Sequence, residues 1–217
     1  MKKFAVILSG CGVYDGSEIH EAVMTLLAID KAGASYGIFA PDIKQYHVIN
    51  HLTGEEMNET RNVLVESARI ARGKIKPLSE YKAADYDGLV LPGGLGASKN
   101  LSDYAFKSDK MTVLKEVEKA VLETHKAGKP IGALCIAPVI IAKIINNAVV
   151  TIGCDSKIAS HIKNMGAIHQ DKGKGEVAID KKNKIVTSPC YMLTNSIKDI
   201  ATGAEATVTA MLEMMND

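Results

Sequence analysis

Pro130-Ile131-Gly132-Ala133-Leu134-Cys135-Ile136-Ala137-Pro138 runs from an apolar stretch straight into one cysteine, with a proline three residues on. That pattern fits a strand delivering a nucleophile at a sharp turn into a helix. The turn strains the nucleophile's backbone and crowds its neighbours, so small residues are needed two positions to either side, where Ala133 and Ala137 stand. A thiol at a helix start also lies near unpaired amides and the positive end of the helix dipole, which favour the thiolate. The chemistry would be addition of sulfur to an electrophilic carbon. The competing reading of Cys135 is a small buried hydrophobe. Pro92-Gly93-Gly94 follows another strand, so in a parallel sheet its loop shares the ligand-binding carboxyl edge with Cys135. The amides there, with that of Ile136, could form an oxyanion hole, although an ordinary tight turn would use the same glycines for positive φ.

Acid–base partners are less sharply marked. The loop Ser9 to Ser17 belongs to the same edge and precedes Glu18, His20 and Glu21, any of which could serve a thiol. Spacing does not choose among them. Ile19, Val23, Leu26 and Leu27 define an apolar stripe, and Glu21 lies about 200° around the helix from Ile19, which puts it in solvent. Gly10-x-Gly12 with Gly16 and Asp42 is a poor dinucleotide fingerprint, because Asp15 sets a negative charge where a pyrophosphate needs donors. No cofactor is expected. His47, His51, His125, His161 and His169 are scattered without helical metal spacing, so no metal site is expected either. Cys11, Cys154 and Cys190 could approach the strand ends, though structural burial accounts for each more simply.

The elements that must position these groups alternate. Phe4 to Leu8, Ser35 to Ala40, Gly88 to Leu91 and Ile131 to Leu134 are short apolar runs of the kind buried on both faces of a parallel sheet. A helix capped by Ser17 follows the first, another spans Met111 to Lys126, and Ala137 to Ile145 follows the cysteine, with Pro138 in its first turn. Residues 41–81 interrupt the alternation and read as an insertion with a helix from Asn58 to Ile70. Later strands fall at Val149 to Ile152, Glu176 to Ile179 and Lys184 to Thr187, the last two joined by a turn at Asp180 to Asn183, and a closing helix spans Ala201 to Met215. Repeated βα units over 217 residues give one α/β domain.

Composition narrows the partners. A formal charge of +1 offers no field for nucleic acid or acidic membranes, and 5% aromatic residues with no Trp leave few stacking platforms. A small molecule fits better. The four cysteines form no C-x-x-C pair, for which a reducing cytosol is the simplest setting, so a cytoplasmic location is expected. Ser9 to Gly12 cuts the opening apolar run short of a secretory leader, and no other stretch approaches a membrane span.

Leu91-Pro92-Gly93-Gly94 with Gly96 and Asn100-Leu101-Ser102, followed by Ala133 to Pro138, resembles the Parkinsonism-associated deglycase and PfpI-type protease superfamily. Val6 to Glu21 and Val48 to Glu55 are more closely similar to its ElbB-type subfamily, the enhancing-lycopene-biosynthesis proteins, with likeness over essentially the whole chain. The resemblance implies a flavodoxin-like three-layer sandwich, class I glutamine amidotransferase-like, with a parallel sheet. It implies Cys135 as nucleophile, the amides of Gly94 and Ile136 as oxyanion donors, and Glu21 as the thiol's carboxylate neighbour, with Glu18 as the fallback. Many members of the superfamily place a histidine where this chain has Ile152-Gly153-Cys154-Asp155. Glu21 then suffices as acid and base, or His20 or His51 enters from the first helix or the insertion. The implied activity is that of a cofactor-independent glyoxalase-type lyase acting on glyoxal or a related 2-oxoaldehyde, also detectable as deglycation. A peroxide-sensing thiol and an amide or peptide hydrolase are the alternatives. The insertion would roof the site, and a homodimer is implied. The subfamily's name refers to isoprenoid output, for which no residue here supplies a chemistry.

Overall fold

The computed structural model describes residues 1–193 and 196–216. Seven strands form one sheet in the order β3-β2-β1-β4-β5-β9-β8: Lys76–Pro77 (β3), Ser35–Ala40 (β2), Lys3–Ile7 (β1), Gly88–Leu91 (β4), Ile131–Leu134 (β5), Ile185–Ser188 (β9) and Ala178–Asp180 (β8). Every pairing is parallel except the last, where the turn at Asp180–Asn183 closes an antiparallel hairpin. Val149–Val150 (β6) and Ile168–His169 (β7) pair separately. The helices are Ile19–Lys31 (α1), Val63–Ile70 (α2), Leu95–Lys99 (α3), Tyr104–Lys107 (α4), Lys115–Lys126 (α5), Pro138–Ile144 (α6), Ser156–Asn164 (α7) and Ile197–Met214 (α8).

Strand periodicity separates the two cores. Phe4 and Val6 of β1, Val90 of β4 and Val186 of β9 pack with Ala22 and Ile29 of α1, Val63 of α2 and Met211 of α8. The intervening residues Ala5, Ile7, Leu89, Leu91, Ile131 and Ala133 pack on the other face with Val117 and Val121 of α5 and Ile140 and Ile141 of α6. Side chains alternate across a pleated strand, so a run that is apolar at every position buries both faces. The result is the flavodoxin-like arrangement of a mostly parallel sheet between helices.

Several expectations need correction. The stretch 41–81 is not wholly an insertion: α2 and β3 complete an ordinary crossover from β2, with Phe39 in register with Lys76 and Ala40 with Pro77. Only 41–62 is irregular. The helix expected from Asn58 begins at Val63 because Asn62 caps it, accepting from the Val65 amide at 3.0 Å. The helix expected from Met111 begins at Lys115, and the closing helix begins earlier than expected, at Ile197. Of Val149 to Ile152 only the first two residues form a strand, outside the main sheet.

The α1 helix departs furthest. Its cap is Glu18, whose Oε2 accepts from the Glu21 amide at 2.7 Å, while Ser17 is buried with its Oγ accepting from the Ser9 amide at 2.8 Å. Its inner face is Glu21, Ala22, Thr25, Ala28 and Ile29, and of the expected core stripe only Leu26 packs against the core, while Ile19, Val23 and Leu27 are 42%, 41% and 47% exposed. The helix packs on α8, and Ile19, Val23 and Leu27 are left outside.

Candidate active site

Four chain segments meet beyond the carboxyl ends of β1, β4, β5 and β9. The first is the loop from Ser9 into α1; Gly93–Gly94 follows β4, Cys135 follows β5, and the one-turn 3-10 helix Cys190–Met192 follows β9. Parallel strands deliver their C-terminal loops to one edge, which is why residues more than a hundred positions apart converge.

Cys135 has φ +58°, a left-handed conformation costly for any side chain but glycine, and its amide donates to Ser188 O at 2.9 Å. Both amides expected as oxyanion donors, those of Gly94 and Ile136, donate to its sulfur. Glu21 is fully buried beside it and accepts a hydrogen bond from the thiol. Its Oε2 accepts from the Gly93 amide at 2.9 Å and its Oε1 from the Tyr191 amide at 3.2 Å. Gly93 has to be glycine: a Cβ there would lie 2.5 Å from Cys135 Cβ and 2.6 Å from Glu21 Oε2. The loop after β4 thus closes its backbone onto the thiol and the carboxylate together.

Burial, and then the neighbouring Glu21 carboxylate, pushes the Cys135 thiol well above its ordinary value against the pull of the two amides. Burial likewise pushes Glu21 up to about 8, with the Tyr191 amide acting against it. Near neutral pH both groups therefore hold protons. This corrects the expectation of a thiolate stabilised by a helix start: α6 begins three residues further on, and loss of solvent outweighs the amides. The pair can pass the thiol's proton to the carboxylate as sulfur bonds to carbon, and return it afterwards.

Glu18 and His20 belong to the same cluster. His20 Nδ1 shares a 2.7 Å hydrogen bond with Tyr191 OH and lies 3.9 Å from Glu18 Oε1. His51 does not join them: its ring accepts from the Tyr14 amide at 3.2 Å and lies 3.9 Å from Asp15 Oδ1, pinning the 41–62 segment onto the first loop. That segment is braced there by the Ile49 amide on Asp15 Oδ2 at 2.7 Å and by the Tyr46 amide on Asn100 Oδ1 at 3.0 Å. Cys154 is exposed.

Tyr191 escaped the sequence reading of the site, and Cys190, read there as structural burial near a strand end, belongs to the cluster. Cys190, at φ +42° and 3% exposed, has its thiol pushed up by burial and by Glu21, and Tyr191 holds both Glu21 and His20. The available signal was Pro189-Cys190 at the end of a strand that belongs to the same sheet. Among the described residues no three His, Cys, Asp or Glu side chains are grouped to hold a metal ion.

A sequence model of the DJ-1/PfpI family matches residues 13–193. The chain belongs to the DJ-1/PfpI family. It is 47% identical to the rat (Rattus norvegicus) protein named "ES1 protein homolog, mitochondrial", over 98% of this chain and 84% of that protein. It is 46% identical to the human (Homo sapiens) "Glutamine amidotransferase-like class 1 domain-containing protein 3, mitochondrial", over 98% of this chain and 83% of that one. Among solved structures, an isoprenoid biosynthesis protein with an amidotransferase-like domain from Ehrlichia chaffeensis superposes with a TM-score of 0.90 at 38% identity, covering 97% of this chain and 99% of its own. The ElbB-like resemblance is thereby supported in sequence and in fold. The cytoplasmic expectation is overturned, because relatives this similar are named mitochondrial. Free thiols indicate a reducing setting and do not tell one reducing compartment from another.

Proposed function

We propose that this DJ-1/PfpI protein is a cofactor-independent glyoxalase-type enzyme that converts glyoxal or a related 2-oxoaldehyde to a hydroxy acid. The observation that carries this reading is a single sulfur held between two backbone donors and a buried carboxyl group, Cys135 with the amides of Gly94 and Ile136 and with Glu21. In the proposed cycle the Glu21 carboxylate takes the Cys135 proton as sulfur adds to the aldehyde carbon, then returns it to the new oxyanion, giving a hemithioacetal. It next removes the hydrogen from that carbon and delivers it to the neighbouring one, while the hydroxyl proton passes to the oxygen of the second carbon. The product is a thioester of the hydroxy acid, which water cleaves. No net oxidation occurs, so an internal acid–base group and a nucleophile are sufficient.

A peroxide-sensing thiol gains less support, because the protonated, 7% exposed Cys135 lacks the accessible thiolate that oxidation favours. Pairing of two copies is part of the proposal. The outward apolar row Ile19, Val23 and Leu27 is the kind of surface a self-complementary contact covers, and sedimentation of the purified chain measures it.

The test is NMR detection of glycolate and lactate from glyoxal and methylglyoxal with purified protein beside Cys135→Ala and Glu21→Gln. Both variants are expected to lose turnover while remaining folded. Turnover retained in Cys135→Ala rules out the mechanism, and cleavage of amides or peptides in place of aldehyde turnover would assign the site to a hydrolase.

A further inference from the structure

The proposed cycle leaves a thioester on Cys135, and its cleavage needs a group that takes a proton from water. Glu21 is badly placed for that step. It is 0% exposed, both its oxygens already accept from the amides of Gly93 and Tyr191, and its remaining hydrogen bond goes to the sulfur. Water has to arrive from the open side of the cluster.

An acid–base group stands on that side. The His20 side chain is 45% exposed, and its Nδ1 is fixed at 2.7 Å by Tyr191 OH, with Glu18 Oε1 at 3.9 Å. Among the described residues Nε2 has no protein partner, so it is free to meet water. Tyr191 touches both halves of the site: its amide donates to Glu21 at 3.2 Å and its hydroxyl bonds His20. Glu18 closes the ring, since its Oε2 accepts from the Glu21 amide at 2.7 Å. One side of this ring is sealed around the sulfur and the other is open to solvent. Imidazole carries one ring nitrogen that can donate while the other accepts, which suits it to take a proton from water on the open side while Tyr191 holds the other nitrogen.

We propose that His20 is the base of the hydrolytic step and that Tyr191 is the residue that positions it. The inference rests on the glyoxalase-type reading above. His20 Nε2 takes a proton from water as the oxygen bonds to the thioester carbon. The tetrahedral intermediate collapses, the carbon–sulfur bond breaks, and its electron pair leaves on Cys135. The new carboxylic acid gives its proton to that sulfur, and His20 releases its own to solvent. Thioester and water become thiol, hydroxy-acid anion and one proton. Sealed and open groups thus divide the work, Glu21 acting before the thioester and His20 after it.

The experiment is rapid-quench intact-mass spectrometry of the full chain mixed with glyoxal, with glycolate followed by NMR, for wild type, His20→Gln and Tyr191→Phe. His20→Gln is expected to accumulate one glycolyl group on Cys135 within the first turnover and to lose about a hundredfold in kcat, the usual scale for a general base. Tyr191→Phe, which keeps the ring and the backbone bond to Glu21, is expected to accumulate the same adduct to a smaller extent. Wild-type turnover in His20→Gln overturns the assignment, as does loss of the adduct together with turnover in a folded His20→Gln, which would put His20 before the thioester. Failure of wild type itself to make adduct and acid overturns the glyoxalase-type reading, and the division of labour with it.

Discussion

A carboxyl group sealed beside a sealed thiol cannot ionise at its ordinary pH, because the protein supplies only a few amide dipoles in place of water. Glu21 therefore titrates at about 8 and Cys135 higher still. The carboxylate form of Glu21 starts the proposed reaction, so kcat/KM for glyoxal is expected to rise about tenfold per pH unit below about 8 and to level off above it. A pH series of initial rates on the wild-type chain checks it. A limb near the ordinary carboxylate value in wild type would show that Glu21 is solvated. At this scale the sequence was informative about where Cys135 sits and which amides lie beside it, since an apolar run, one cysteine and a proline leave little choice of backbone. It was uninformative about Tyr191, whose contribution to Glu21 is a backbone amide that any residue type carries.

Helix α1 shows what periodicity can and cannot say. A stripe of Ile, Val and Leu marks a face that avoids water, and the inward face is chosen by what lies opposite. Here the neighbour is α8, whose Val208 and Met211 share a core with Ala22, Ala28 and Ile29, so that row of α1 goes inside and Ile19, Val23 and Leu27 go outside. Val23→Glu is accordingly expected to change monomer stability by less than about 0.5 kcal/mol, whereas Ile29→Ala, fully buried, should cost roughly 3 kcal/mol. Urea unfolding of the two variants separates the faces, and equal costs would restore the stripe as core. The same effect hid Glu21, which travels with the inner face. The short pair β6 and β7 was misread or missed, whereas strands β1, β2, β4 and β5 were legible to within a residue at each end, because runs buried on both sides need no choice of face. Residues 63–77 were not, since β3 is a two-residue edge strand with no apolar run to announce it.

Over the whole molecule, the sheet carries the cost of the site. In the unfolded chain Glu21 titrates at its ordinary value of 4.5, and in the fold at about 8. Between these values the folded state keeps a proton that the unfolded chain has lost, so this contribution is complete below the lower value and declines as pH rises through the upper one. The decline is roughly 5 kcal/mol for a group sealed this fully, and Glu21→Gln is expected to flatten it. Denaturant midpoints measured across that window give the slope, and parallel curves for the two proteins would contradict it. Two separate cores on either side of the sheet, each built from alternate residues of the same strands, provide the rigidity that holds such a pair in place.

The most direct measurement uses isotope-labelled glyoxal with the wild-type chain, quenched within the first turnover, followed by NMR and peptide mass mapping. One labelled glycolyl thioester is expected on Cys135 and none on Cys11, Cys154 or Cys190, and Glu21→Gln, which lacks the base that starts the first bond, should leave Cys135 unlabelled. Label spread over the exposed Cys154 and surface amines, with Cys135 unmodified, would show that the buried sulfur is not where the chemistry starts.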